Sequence, residues 1–123
     1  MLQEGLTHTS QLKVTESVLA ISMGSGDLPV LATPAMMALM ENAAMLAVAP
    51  HLPEGSTTVG GHISASHIKP TPIGETVTAT ATVVKVDGKK IEFEAKAHCG
   101  DILLGEGSHL RFIVDREKFM SRL

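Results

Sequence analysis

Residues 34–49, PAMMALMENAAMLAVA, decide the fold because they form the most helix-prone and most apolar segment of the chain. The segment has no glycine and no β-branched residue before Val48, and Pro50 follows it, which predicts an α-helix over 34–49. A surface helix would carry a polar stripe, whereas this one offers only Glu41 and Asn42. We therefore expect a central helix that is covered on nearly every side.

Thr33 and Pro34 mark the start of this helix. Threonine caps free backbone N–H groups and proline suits the first helical turn, so Thr33 is most simply an N-cap. A hydroxyl at the positive end of a helix can also polarise a ligand carbonyl, which keeps a chemical role open. Thr33 and Glu41 are about 12 Å apart along a helix, so they cannot bond directly but can flank one substrate.

The rest of the chain is predicted to form strands and turns. Alternating polar and apolar residues predict a first strand over 12–21, and the same reasoning predicts four more at 57–68, 75–86, 90–98 and 101–114. Asp87-Gly88 is a hairpin signal, and the 75–86 strand has threonines on one face and small apolar residues on the other. The order describes one α+β domain over residues 1–123, with an antiparallel sheet covering the helix.

Composition excludes several classes of function. A net charge of −3 and 2% aromatic residues give neither a basic field nor stacking platforms, so nucleic acid is not an expected partner. The lone Cys99 fits a reducing compartment. The N-terminus lacks a signal-peptide pattern and the longest apolar run is interrupted by Glu41, so we expect a cytoplasmic protein without a membrane segment.

The chain also lacks the signatures of metal and phosphate sites. His62 and His67 are on opposite faces of a predicted strand, and no cysteine or histidine pair has a zinc spacing, so neither a metal nor another cofactor is predicted. There is no glycine-rich phosphate loop and no G-x-S-x-G turn, which argues against a P-loop enzyme and an α/β-hydrolase.

Glu41, His67 and Gly60-Gly61 are the remaining candidates for chemistry. A carboxylate on an apolar helix is desolvated unless it is paired or faces a cavity, and such a group suits proton transfer; a structural carboxylate is the alternative. His67 lies near the end of a predicted strand, where a structural or exposed histidine is the alternative. Gly60-Gly61 predicts a bulge, and an N–H freed there can face a substrate oxygen.

Five features, in this order and spacing, resemble the hotdog-fold thioesterases: Thr33, Glu41, GGHISASH ending in His67, TPIGETVTATA, and GSHLRFIV at 107–114. The closest likeness is to the fluoroacetyl-CoA thioesterase group, over about residues 29–121. The resemblance implies a sheet wrapped round a helix and a homodimer with active sites near the subunit interface. It also implies that Thr33, Glu41 and His67 are the catalytic set, and that the Gly60 N–H, beside Gly61, helps to hold the thioester carbonyl.

The chain departs from this group in one stretch. Fluoroacetyl-specific members carry aromatic residues that gate the acyl pocket, whereas GDLPVLATPAMM at 26–37 has none, so fluoroacetate specificity is not expected. An acyl pocket lined in part by Met37 would suit a small or medium apolar group, although core packing explains the methionines equally well. Lys69 and Arg111 are candidates for binding the CoA phosphates, with solvated surface charges as the alternative.

The predicted activity is hydrolysis of an acyl-CoA to a free acid and CoA. Glu41 would act as nucleophile or as general base for water, His67 would assist proton transfer, and Thr33 with the Gly60 N–H would polarise the thioester. Two alternatives stay open. One is a hotdog hydratase or dehydratase, and the other is a non-catalytic dimer that binds acyl-CoA. A higher homo-oligomer is also open.

Overall fold

A long helix and a five-stranded antiparallel sheet dominate the computed structural model, which describes residues 1–123. The strands are β1 (Thr7–Lys13), β2 (Ser56–His67), β3 (Thr76–Asp87), β4 (Lys90–Cys99) and β5 (Ile102–Asp115). They lie in the order β1-β3-β4-β5-β2, so β1 and β2 are the two edges of the sheet. The helices are α1 (Ala20–Met23), α2 (Thr33–Val48) and α3 (Arg116–Ser121), with 3-10 turns at Glu16–Val18 and Ala49–His51.

Helix α2 is the predicted central helix, but its first residue differs in role from the prediction. Ala32 is the N-cap and makes no side-chain capping bond, and Thr33 is already helical. The prediction that Thr33 caps the helix is therefore wrong. Because its hydroxyl is not used by the backbone of the first turn, it is available to another partner.

The core lies between α2 and the inner face of the sheet. Val77, Ala79 and Ala81 of β3 are fully buried there, while the threonines that alternate with them point away from the helix. The predicted division of this strand into two faces is thus confirmed. Small side chains on the inner face let the helix approach the sheet closely.

The predicted strand over 12–21 is wrong for most of its length. β1 lies earlier and pairs with β3 from Thr7 opposite Thr82 to Lys13 opposite Thr76. The following segment forms a 3-10 turn and α1 instead. The alternating apolar residues do pack on the core, but beyond Lys13 they do so from an irregular segment, the 3-10 turn and α1 rather than from a strand; they are Leu12, Val14, Val18 and Ala20.

The two predicted glycine features are confirmed. Asp87 pairs with Lys90, so the two turn residues of the hairpin are Gly88 and Lys89, and Gly88 has the positive φ of 60° that glycine adopts at the first position of such a turn. The pairing of β2 with β5 shifts register between Gly60 and His62, so the strand has a bulge there.

One face of α2 is left open. Pro34, Ala38, Asn42 and Leu46 follow one another at a spacing of four residues, and all four are exposed. The expectation that the helix is covered on nearly every side is therefore not met within a single chain. None of the helices has the length and apolar character needed to cross a membrane.

Candidate active site

The first part of the site lies where α2 begins and β2 ends. Thr33 Oγ1 and His67 Nδ1 share a hydrogen bond of 2.8 Å. Both residues line a cavity of about 250 Å³, whose other walls include Val30, Leu31 and Lys69. A histidine that is unprotonated at Nδ1 accepts this bond from the Thr33 hydroxyl and increases the electron density on Oγ1.

The environment of His67 favours its neutral form. Burial lowers the pKa of the imidazole, and the backbone of Lys69 acts in the opposite direction. The Nε2 atom is buried and makes no hydrogen bond. A neutral imidazole beside a hydroxyl can take up or deliver a proton during a reaction.

The second part of the site surrounds Glu41, two turns further along α2. Glu41 Oε2 lies 3.7 Å from Arg111 Nη1 and 3.9 Å from His109 Nε2. A Cβ atom on Gly60 would lie 2.7 Å from the same oxygen, so the glycine makes room for the carboxylate. The Glu41 side chain is 42% exposed, which makes it a paired and partly solvated carboxylate rather than a desolvated one.

Arg111 is in a different environment from the one that a phosphate-binding residue needs. Its side chain is only 8% exposed. Its Nε–H donates to Thr58 Oγ1 at 2.8 Å and its Nη2–H donates to the Thr58 carbonyl oxygen at 2.9 Å. These bonds turn the guanidinium toward the interior and Glu41, away from a soluble phosphate.

Sequence reasoning missed Thr58 and His109. The one available signal was GSHLRFIV, in which His109 and Arg111 are two residues apart and therefore on the same face of a strand. Which face that is depends on the register of β5, and the sequence does not reveal it.

The other predicted binding residues divide between the cavity and the core. Lys69 lines the cavity beside His67. Met37 is half-buried and packs against the core, and Met36 and Met40 are fully buried within it. Gly61 lies in the bulge against the ring of Phe112. The methionines are thus engaged in packing within the chain.

The two parts do not meet within one chain. Thr33 and Glu41 are about 12 Å apart along the helix axis. The β2 strand from Gly60 to His67 spans roughly 20 Å at the usual rise per residue. The structure therefore brings Thr33 to His67 and Glu41 to Gly60, but it does not bring the three predicted catalytic residues together.

Comparison with known proteins decides the family. Residues 14–117 match the model of the fluoroacetyl-CoA-specific thioesterase family, FlK. The chain belongs to this family. The resemblance, the hotdog fold and the thioester hydrolase class that the sequence predicted are confirmed.

Individual members of the family and of the wider superfamily agree with this assignment. The thioesterase is 38% identical over 94 residues to the fluoroacetyl-CoA thioesterase of Streptantibioticus cattleyicolor, covering 76% of this chain and 68% of the relative. A mutant of FlK in complex with acetyl-CoA matches with a TM-score of 0.92 and 30% identity, over 98% of this chain and 96% of the other. A Thermus thermophilus thioesterase superfamily member matches with a TM-score of 0.89 and 26% identity, over 97% and 88%.

Proposed function

We propose that this thioesterase hydrolyses small or medium acyl-CoAs as a homodimer, at a site that joins the Thr33–His67 pair of one protomer to Glu41 of its partner. The observation that carries the proposal is the separation of these two parts inside one chain. One part supplies a hydroxyl and an imidazole, and the other supplies a carboxylate. Each part lies beside a surface that a single chain leaves uncovered.

The free edge of β2 is the first such surface. The strand is 12 residues long, contains no proline, lysine or carboxylate, and presents unpaired backbone groups along its outer edge. Exposed edges of this kind pair readily with another strand. Antiparallel pairing of two copies centred near Ile63 carries His67 of one strand toward Gly60 of the other.

The side chains agree with this pairing. Gly60 lies against Glu41 of α2, His67 bonds to Thr33 of α2, and Ile63 packs against the core, so all three lie on the inner face of β2. Partner and local groups therefore meet on the same side of the joined sheet. The exposed apolar stripe of α2, with Ala38 and Leu46, gives a second surface for the partner to cover.

Hydrolysis in this composite site follows from the properties of each group. Either Glu41 removes a proton from water, whose oxygen bonds to the thioester carbon, or its carboxylate attacks that carbon and water later releases the acid. The Gly60 N–H stabilises the developing oxyanion, and the Thr33 hydroxyl does so in the tautomer in which His67 Nδ1–H donates to Oγ1 and leaves the hydroxyl hydrogen free. When the C–S bond breaks, CoA leaves as a thiolate, and His67 passes to its sulfur a proton released by the attacking water, so that the histidine ends the reaction neutral.

The cavity next to Thr33 and His67 indicates the acyl group. Val30, Leu31 and Ile68 line it, and no phenylalanine, tyrosine or tryptophan does, which suits a small or medium apolar acyl chain rather than selection for fluoroacetyl. Lys69 at the same cavity is assigned to the CoA phosphates, and Arg111 is not, because Thr58 holds it inside the chain.

The single Cys99 supports a reducing, cytoplasmic location.

Thiol release tests the activity directly. Purified enzyme is expected to release CoA from acyl-CoAs of increasing chain length, with a preference that declines once the chain exceeds the cavity. An enzyme that binds these thioesters but releases no thiol from any of them is a binding protein, and the hydrolase proposal is then wrong.

Mixing two inactive variants tests the composite site. Equal amounts of the Glu41→Gln and His67→Ala variants are mixed until their subunits have exchanged fully, so that half of the dimers contain one protomer of each variant. Each mixed dimer has one intact site of two, so activity recovers to about one quarter of wild type in a two-fold dimer. If the mixture stays inactive although exchange is complete, each site lies within one chain. A stable monomer in solution would also contradict the proposal.

A further inference from the structure

We propose that Thr58, His109 and Arg111 are positioning residues that fix the Glu41 carboxylate over Gly60, so that Arg111 serves the reaction through Glu41 rather than by binding CoA. This inference rests on the hydrolase function proposed above. We call the three residues the arginine clamp.

Arg111 is immobilised from two sides of its guanidinium. Nε–H and Nη2–H both donate to Thr58, at 2.8 Å to the hydroxyl and 2.9 Å to the carbonyl oxygen. Thr58 lies on β2 two residues before Gly60, and Arg111 pairs with Gly60 across the two strands. Because guanidinium is planar, these two bonds also fix the direction of the remaining nitrogen, Nη1.

His109 holds that remaining nitrogen. Its Nδ1–H donates to the His62 carbonyl oxygen at 2.7 Å, which leaves Nε2 unprotonated in the neutral ring. Nη1–H of Arg111 then donates to Nε2 at 3.1 Å. Burial lowers the pKa of His109, and the charge of Arg111 lowers it further, against opposing effects of the His62 carbonyl and Glu41. The neutral tautomer that the clamp requires is thus the favoured one.

Glu41 is the carboxylate that faces this buried charge. A buried arginine without a counter-ion is costly, so the clamp attracts the carboxylate toward the bulge. The 3.7 Å separation from Arg111 Nη1 is an ion-pair distance, longer than a hydrogen bond, and the neutral His109 Nε2 lies 3.9 Å away. The clamp therefore steers Glu41 by charge while leaving its lone pairs to a water molecule or a thioester carbon.

The first experiment compares two substitutions of Thr58. Thr58→Val keeps the shape but removes the acceptor for Nε–H, and it is expected to lower kcat between about ten- and a hundred-fold while KM changes by less than about twofold. Thr58→Ser restores the acceptor and is expected to restore most of kcat. Thr80→Val, in a threonine whose hydroxyl bonds Thr9 on the outer face, is the matched control with unchanged kcat.

The outcomes separate the two proposals. If wild type releases no thiol, the hydrolase function is wrong. If wild type is active and Thr58→Val keeps full kcat, the positioning role is wrong. Equal losses in Thr58→Val and Thr58→Ser would also contradict it, because packing rather than the hydrogen bond would then matter.

A measurement on the wild-type enzyme keeps the inference testable if Thr58→Val does not fold. Nitrogen-15 NMR is expected to show His109 protonated at Nδ1 only, and a slowly exchanging Nε–H on Arg111. An Nε2-protonated His109, or an Arg111 Nε–H that exchanges as fast as that of exposed Arg122, would overturn the clamp.

Discussion

The two parts of the site are built in opposite ways. Thr33 and His67 are joined by one hydrogen bond at an open cavity, with Thr33 exposed and His67 half-buried. Glu41 instead lies against a buried network in which Arg111 makes bonds to both Thr58 and His109. A single bond at a surface changes easily when a ligand arrives, whereas a network with several buried bonds has one arrangement.

This difference indicates a division of labour. In the proposed reaction the Thr33–His67 pair moves a proton, which requires a hydrogen bond that is free to form and break. The same proposal requires the Glu41 carboxylate to be in place before the thioester arrives, because a misplaced nucleophile or base loses much of its advantage. Each prediction below alters one part and asks whether the other part responds.

The largest effect is expected for Glu41→Gln. The amide keeps the size of the side chain but can neither accept a proton from water nor attack the thioester, so kcat is expected to fall by about a thousandfold or more. Thiol release measures the loss, and thermal unfolding is the control that the variant stays folded, because the change removes the counter-ion of the buried Arg111. A variant with full activity would remove Glu41 from the site.

The next effect concerns the Thr33–His67 pair. Thr33→Ala and His67→Ala are each expected to lower kcat by about a hundredfold or more. Because the two side chains act through one hydrogen bond, the double variant should lose little beyond the worse single variant. Losses that multiply would mean that the two residues act independently.

A smaller effect is expected for Gly60→Ala. The new methyl group would lie 2.7 Å from Glu41 Oε2, so the flexible carboxylate has to move away from the clamp. We expect kcat to fall by about tenfold or more. In a Glu41→Gln background the same change should add almost nothing. An additive loss would show that Gly60 acts through the backbone and not through Glu41.

Acid is expected to weaken the fold through the half-buried His67 and the buried His109. Burial lowers the pKa of His67 and His109, whereas the pKa of histidine in an unfolded chain is about 6.5. Below that pH the unfolded chain binds more protons than the folded chain, so stability falls as pH decreases and is retained above it. Thermal unfolding from pH 7.5 to 5 should show this decline, with a shallower slope in His109→Gln. An equal slope would contradict the assignment for His109.

The smallest effect lies away from both parts. Ser10 of β1 donates a hydrogen bond of 2.7 Å to Asn42 Oδ1 on the exposed face of α2. Ser10→Ala should cost about 1 kcal/mol of unfolding free energy and leave kcat unchanged. A loss of activity would mean that the packing of α2 on β1 controls the geometry of the site, which would contradict the roles assigned to its two parts.

Much of the fold could be predicted from local patterns. The apolar run ending at Pro50 specified α2, and the turn chemistry of Asp87-Gly88 specified the hairpin. The predicted strand was wrong over 14–20 because alternation indicates which residues are buried but not the backbone conformation that buries them. For the site, Glu41 stood out as the rare charge on its helix, while His109 and Arg111 resembled ordinary strand residues.

A family resemblance selected Thr33, Glu41 and His67 as candidates, whereas local patterns in the sequence by itself determined the central helix and the antiparallel strands around it. Those properties depend on neighbours within a few positions, which is the range over which helix propensity, turn chemistry and strand periodicity act. Only the tertiary structure decided that Thr33 bonds His67 instead of capping the helix, and that Thr58 turns Arg111 inward toward Glu41. Those contacts join residues 34 and 53 positions apart, so they follow from the register and packing of whole elements.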